Sequence, residues 1–187
     1  MRCNMTKIKT WILVEKEVYE AIQKQGFYRI DKEHLKKKYD DCLDIYMKIY
    51  NWYYEKSLEL GRVPEDCKYS LIVSTDDKSS PSPNKVLLEM AIEENHLTMT
   101  DAKKWDYILN HWYLPKDDSD QRKFKKELDD RGIKQNQIFQ TDFYPDYKRK
   151  IIDSWDRLFD ESVTLSDNKR VTVWELRKEW IVNAIEA

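Results

Sequence analysis

The sequence predicts an α+β protein, a small sheet packed by helices in a single domain. Three observations lead there. Three short aliphatic runs, KTWILV, YSLIVS and KVLLEMAI, have strand length and alternate with stretches of helical periodicity. Gly26, Gly61 and Gly132 each follow a helical stretch, where a residue with positive φ commonly ends a helix. No internal repeat, low-complexity tract or linker divides the 187 residues, a length that suits one domain over residues 1–187.

Lys9 to Val14 is the first strand, three aliphatics with Trp11. Glu15 to Gln25 reads as a helix, with Glu15 and Glu17 at its positive dipole end and Val18, Ala21 and Ile22 on one face. Gly26 stops it, and Phe27 to Ile30 returns extended. Asp31 is placed to cap a long helix, Lys32 to Leu60. Leu35, Tyr39, Cys42, Tyr46, Ile49, Tyr53 and Leu60 form its apolar stripe, and Tyr50, Trp52 and Tyr54 widen it. Arg62 to Lys68 is a loop. Tyr69 to Ser74 is the second strand, Thr75 to Asn84 a Ser/Pro-rich loop, and Lys85 to Ile92 the third strand.

Thr100 or Asp101 caps the main helix of the second half, which carries Trp105 to Pro115 and which Pro115 ends. At helical spacing Trp105, Ile108, Leu109 and Trp112 make a core face, and Tyr107 and His111, four apart, make another. Asp117 to Arg131 is a charged helix with Phe124 and Leu128 on one side. Ile133 to Thr141 is a loop with a short strand at Gln137 to Gln140, and Pro145 opens a helix, Asp146 to Phe159. Thr172-Val173-Trp174-Glu175 matches a capping box, starting a short helix through Trp180. Ile181 to Ile185 is a last short strand.

Composition bounds the function. Lys+Arg 33 against Asp+Glu 35 leaves a net charge of −2, so no basic field calls for nucleic acid. Aromatic residues at 13% argue against disorder despite 36% charged residues. Cys3, Cys42 and Cys67 lack zinc spacing and read as free thiols of a reducing compartment. The apolar run Trp11 to Val14 is too short for a signal segment, and no stretch approaches a membrane span. The expected location is cytoplasmic, with no membrane partner.

Motifs for chemistry are sparse. His34, His96 and His111 show no metal-ligand spacing, and Asp117, Asp118 and Asp120 lack the Gly and Glu of a calcium loop. There is no Gly-rich phosphate loop and no GxSxG, so no cofactor and no catalytic residue is nominated. Glu89 lies inside the third strand; inward it is a functional candidate, outward a solvated charge. The rings serve either as core or as the wall of a cleft for a planar ligand.

Lys85-Val86-Leu87-Leu88-Glu89 followed by Trp105-Asp106-Tyr107-Ile108-Leu109-Asn110-His111-Trp112-Tyr113-Leu114-Pro115 resembles a family of bacterial and phage proteins known as a domain of unknown function. Trp11, Gly26-Phe27-Tyr28-Arg29, Tyr50 with Trp52, Trp155 to Asp160 and Val173 to Arg177 match its further motifs. Family members carry an aromatic second strand and then a basic segment; here Tyr69 to Val73 is aliphatic after the tyrosine. The strand–helix–Gly–Arg opening is also similar to small ADP-ribosyltransferase-like folds, without their catalytic triads. Small phage proteins that sequester nucleotide immune signals offer a second analogy.

The expected function is non-enzymatic binding of a nucleotide-like small molecule in an aromatic-lined cleft. Trp11, Arg29, Tyr107, His111 and Glu89 are the candidate ligand-binding residues, with rings on a base and Arg29 on phosphate. The alternatives are an NAD- or nucleotide-processing enzyme using Glu89 or His111 as acid/base, and a protein–protein inhibitor. Nothing in the pattern specifies an oligomeric state.

Overall fold

The computed structural model describes residues 6–76 and 80–186. Cys3, and residues 77–79 of the loop expected over Thr75 to Asn84, lie outside them. The architecture is α+β, and the chain forms two compact units. Unit 1 comprises the chain up to Met99 and again from Arg170; unit 2 is Thr100–Lys169.

In unit 1, strands β1 (Lys7–Glu15), β4 (Lys85–Glu93) and β8 (Ile181–Glu186) form an antiparallel sheet with β4 in the centre. Successive side chains alternate between faces. Val86, Leu88, Met90 and Ile92 of β4 therefore share one face, and all four are buried in one cluster with Val14 of β1 and with Val18 and Ile22 of helix α1 (Lys16–Gln25). The other face carries Lys9, Trp11, Leu87 and Glu89. A second sheet has β6 (Lys169–Val173) between β3 (Leu71–Val73) and β5 (Thr98–Asp101). A two-stranded ribbon joins β2 (Phe27–Tyr28) to β7 (Leu176–Arg177). The third expected strand, at Lys85, and the last one, at Ile181, are both present.

The long helix expected from Lys32 to Leu60 is two helices. Helix α2 (Lys32–Tyr39) is capped by the Asp31 carboxylate on the His34 amide; a 3-10 turn (Asp40–Cys42) then leads into α3 (Leu43–Glu59). The break sits at Asp40, whose φ of 44° no α-helix contains. Cys42 and Leu60, expected on the buried stripe, are exposed, while Ile49, Trp52 and Tyr53 are buried. Tyr53 stacks on Trp174 at 5.6 Å between ring centres, and its hydroxyl lies 2.7 Å from that of Thr172.

The capping box expected at Thr172 to Glu175 is instead the end of β6 and the entry to β7. Thr172 uses its hydroxyl on Tyr53, and Glu175 uses its carboxylate on two arginines, so neither caps a helix. Only a 3-10 turn (Lys178–Trp180) follows.

Unit 2 holds helices α4 (Ala102–Leu109), α5 (Asp118–Asp129) and α6 (Pro145–Ser154), with a 3-10 segment (Trp155–Phe159) after α6. The strand expected at Gln137 to Gln140 is absent; a 3-10 turn (Gln135–Gln137) stands there, and Ile138 is fully buried. Asp101 caps α4 through the Lys103 amide and also accepts from the amides of Leu165 and Ser166 and the Ser166 hydroxyl, at 2.6–2.8 Å. Burial pushes this carboxyl up, but those donors outweigh it and hold the pKa down at about 2.

Pro115 does not end the central helix. Helix α4 stops at Leu109, where the amide of Trp112 reaches the Tyr107 carbonyl at 2.8 Å and that of His111 reaches Ile108 at 3.0 Å. This is the Schellman pair of bonds, with a left-handed residue between helix and exit. Helices α3 and α5 end the same way, with Gly61 and Gly132 in the left-handed position. In α4 that position belongs to His111, at φ 55°.

Candidate ligand-binding groove

The return from α1 sets up the site. Gly26 ends α1 in a left-handed conformation, and the chain runs extended through Phe27, Tyr28, Arg29 and Ile30 into the Asp31 cap. Alternation sends Phe27 and Arg29 to one hollow and Tyr28 and Ile30 to another. The second is a groove of about 740 Å³ within unit 1, walled by β1, the start of α2, Tyr50 of α3 and residues 70–72. Its volume falls in the usual range for small-molecule sites.

His34 occupies the third position of α2, just inside the Asp31 cap, which turns its ring back towards the incoming chain. Tyr28 Oη and His34 Nδ1 share a hydrogen bond of 2.9 Å. Burial, and then Lys38, lowers the His34 pKa below the ordinary imidazole value. Burial, and then Asp31, raises that of Tyr28. Both are uncharged at neutral pH, a polar pair able to donate and accept. Tyr50 adds a second ring; its hydroxyl lies 3.3 Å from that of Tyr39, and burial raises its pKa too. Lys37, Lys38 and Lys85 stand against Glu15, Glu17 and Glu33 around the groove, with Lys85 paired to Glu15 at 3.2 Å. The lining thus combines flat rings, neutral hydrogen-bonding groups and charges of both signs.

The candidate residues from the sequence fall into separate places. Trp11 and Glu89 are brought together: they are cross-strand partners on β1 and β4, with Lys9 at 2.6 Å from the Glu89 carboxylate and 5.1 Å above the Trp11 ring. Arg29 lines the hollow opposite the groove and pairs with Glu175. Tyr107 and His111 belong to unit 2. His111, expected on a cleft wall, is buried at 8% exposure against the rings of Phe139 and Trp155. Trp112, expected in the core, is 41% exposed and meets Tyr107 edge-on at 6.4 Å. Helical spacing stops applying at Leu109, which reverses both expectations; Trp105 and Ile108, before that point, are buried as expected.

Tyr28, His34 and Tyr50 were missed as site residues. The signal that could have found Tyr28 and His34 is a tyrosine three residues before a helix cap and a histidine three residues after it; no local signal marks Tyr50. Among the described residues no three His, Cys, Asp or Glu side chains are grouped to hold a metal ion. No described helix is long and apolar enough to cross a membrane. Cys42 and Cys67 are free thiols, exposed and buried respectively.

The fold is α+β in two compact units, and the first holds the groove. The sequence model of the domain of unknown function DUF3841 matches residues 10–182, so the chain belongs to that family. No curated protein and no solved structure matches the chain.

Proposed function

We propose that the protein binds a nucleotide-like small molecule in the unit 1 groove without turning it over. The observation that carries this reading is the groove itself: about 740 Å³ lined by the Tyr28–His34 pair, the Tyr50 ring and the Lys37, Lys38 and Lys85 ammonium groups, with Glu15, Glu17, Asp31 and Glu33 among them. Rings suit a base, neutral donors and acceptors suit its edges, and lysines suit phosphate. Binding is favoured over turnover because Glu89 and His111, the acid/base candidates of the enzyme reading, are not among the groove's lining residues; Glu89 is held by Lys9, and His111 is buried in unit 2. Sequestration of a signalling nucleotide is a role consistent with such a site.

Thermal unfolding in the presence of mono-, di- and cyclic nucleotides tests this. A true ligand at about a hundredfold excess over Kd raises Tm by roughly 5–10 °C for a chain of this size. Lys37→Ala combined with His34→Ala abolishes the rise. No rise with any nucleotide at millimolar concentration overturns the reading, as does an unchanged rise in the double variant.

A further inference from the structure

On the other side of β2 lies a charge cluster that the groove does not use. Glu175 is buried, its side chain 4% exposed, where β6 passes into β7. Arg29 donates from Nε to its Oε2 at 2.9 Å; Arg177 donates from Nε and Nη2 to Oε1 at 2.7 and 2.6 Å. One carboxylate facing two guanidinium groups leaves positive charge over.

What meets that surplus is weak. Asp66 stands 3.8 Å from Arg29 Nη1 and Glu179 stands 3.5 Å from Arg177 Nη1, and both carboxylates are largely exposed, at 82% and 71%. Exposed pairs at such distances are readily displaced. The Nη groups of Arg29 make no hydrogen bond among the described residues. Both guanidinium planes are backed by rings, Phe27 at 4.8 Å from Arg29 and Trp180 at 5.3 Å from Arg177. Between them is a hollow of about 310 Å³. The Gly26 carbonyl accepts from the Lys178 amide at 2.8 Å and ties β2 to the end of β7 beside it.

We propose that this hollow is an oxyanion site, in which Arg29 and Arg177 grip the phosphate or carboxylate group of a small molecule while Glu175 orients both forks. A planar guanidinium with unspent donors matches an oxyanion edge-on. Glu175 is a positioning residue: by taking Nε of each arginine, and Nη2 of Arg177, it leaves the Nη groups of Arg29 and Nη1 of Arg177 for another partner. The site is independent of the nucleotide groove, which lies beyond Tyr28.

The test is a titration of the full chain followed by the arginine Nε–Hε resonances, with inorganic phosphate in one arm and acetate in the other, at ionic strength matched with chloride. Saturable shifts of Arg29 and Arg177 are expected, and the arm that saturates first identifies the source of the oxyanion. Arg29→Lys, which keeps charge and loses the fork, weakens binding about tenfold. Asp66→Asn with Glu179→Gln, two exposed changes, tightens it several-fold; this variant decides the question should Arg29→Lys fail to fold. His34→Ala leaves anion binding unchanged and separates this site from the groove. Absence of any shift beyond the chloride control at about 50 mM of either anion overturns the proposal, as does a double variant that binds no more tightly than the parent.

Discussion

Asp101 concentrates two roles in one carboxylate: it caps α4, and it closes the segment at Leu165 and Ser166 onto the start of that helix. Its pKa of about 2 lies below the ordinary value, so its contribution to stability is complete above pH 4 and is lost as pH falls through 2. That contribution is roughly 2 kcal/mol. Urea unfolding of Asp101→Asn beside the parent protein between pH 6 and 2 measures it: the parent is the more stable at pH 6, and the gap closes towards pH 2. The capping half of this role is readable from an Asp before a helical run. The other half is not, because Ser166 is 65 residues away. His111 and Trp112 make the same point in reverse. Periodicity assigned each a face, and a helix that ends at Leu109 exchanged them.

Helix ends explain most of what the sequence showed and concealed about the elements. Gly61 and Gly132 mark Schellman stops because glycine takes positive φ without a Cβ clash. The equivalent stop of α4 carries His111 and is invisible to a search for glycine. Asp40 is a third case. It breaks the expected long helix into α2 and α3, yet Asp40-Asp41 reads equally well as the solvated face of one continuous helix. Its backbone, at φ 44° and ψ −120°, is strained for a residue with a Cβ. Asp40→Gly is expected to stabilise the protein by about 1 kcal/mol, read as a higher midpoint in equilibrium urea unfolding with an unchanged slope. A lower midpoint would show that the Asp40 side chain contributes more than its backbone costs. Thr172 to Glu175 matches a helix-start pattern, but the same hydroxyl and carboxylate found partners across strands, in Tyr53 and in Arg29 with Arg177.

Across the whole molecule, β4 is the strand on which unit 1 is built, paired on both edges and buried on one face at Val86, Leu88, Met90 and Ile92. Native-state hydrogen exchange should find its slowest amides at Leu88 and Met90, and faster ones in β8, where Val182 and Ile185 are exposed. Exchange at Leu88 as fast as at Val182 would contradict that architecture. The α+β class, the strands at Lys85 and Ile181, the caps at Asp31 and Asp101, and the ends at Gly61 and Gly132 could all be read along the chain. Each depends on residues within a few positions of one another, where backbone sterics and local hydrogen bonds act. The Tyr28–His34 pair of the groove, the bond of Arg29 to Glu175 and the packing of His111 against Phe139 and Trp155 join residues 6 to 146 positions apart. Which of many plausible polar and aromatic side chains end up facing one another is decided by strand register and helix termination in three dimensions, and no local pattern carries that information.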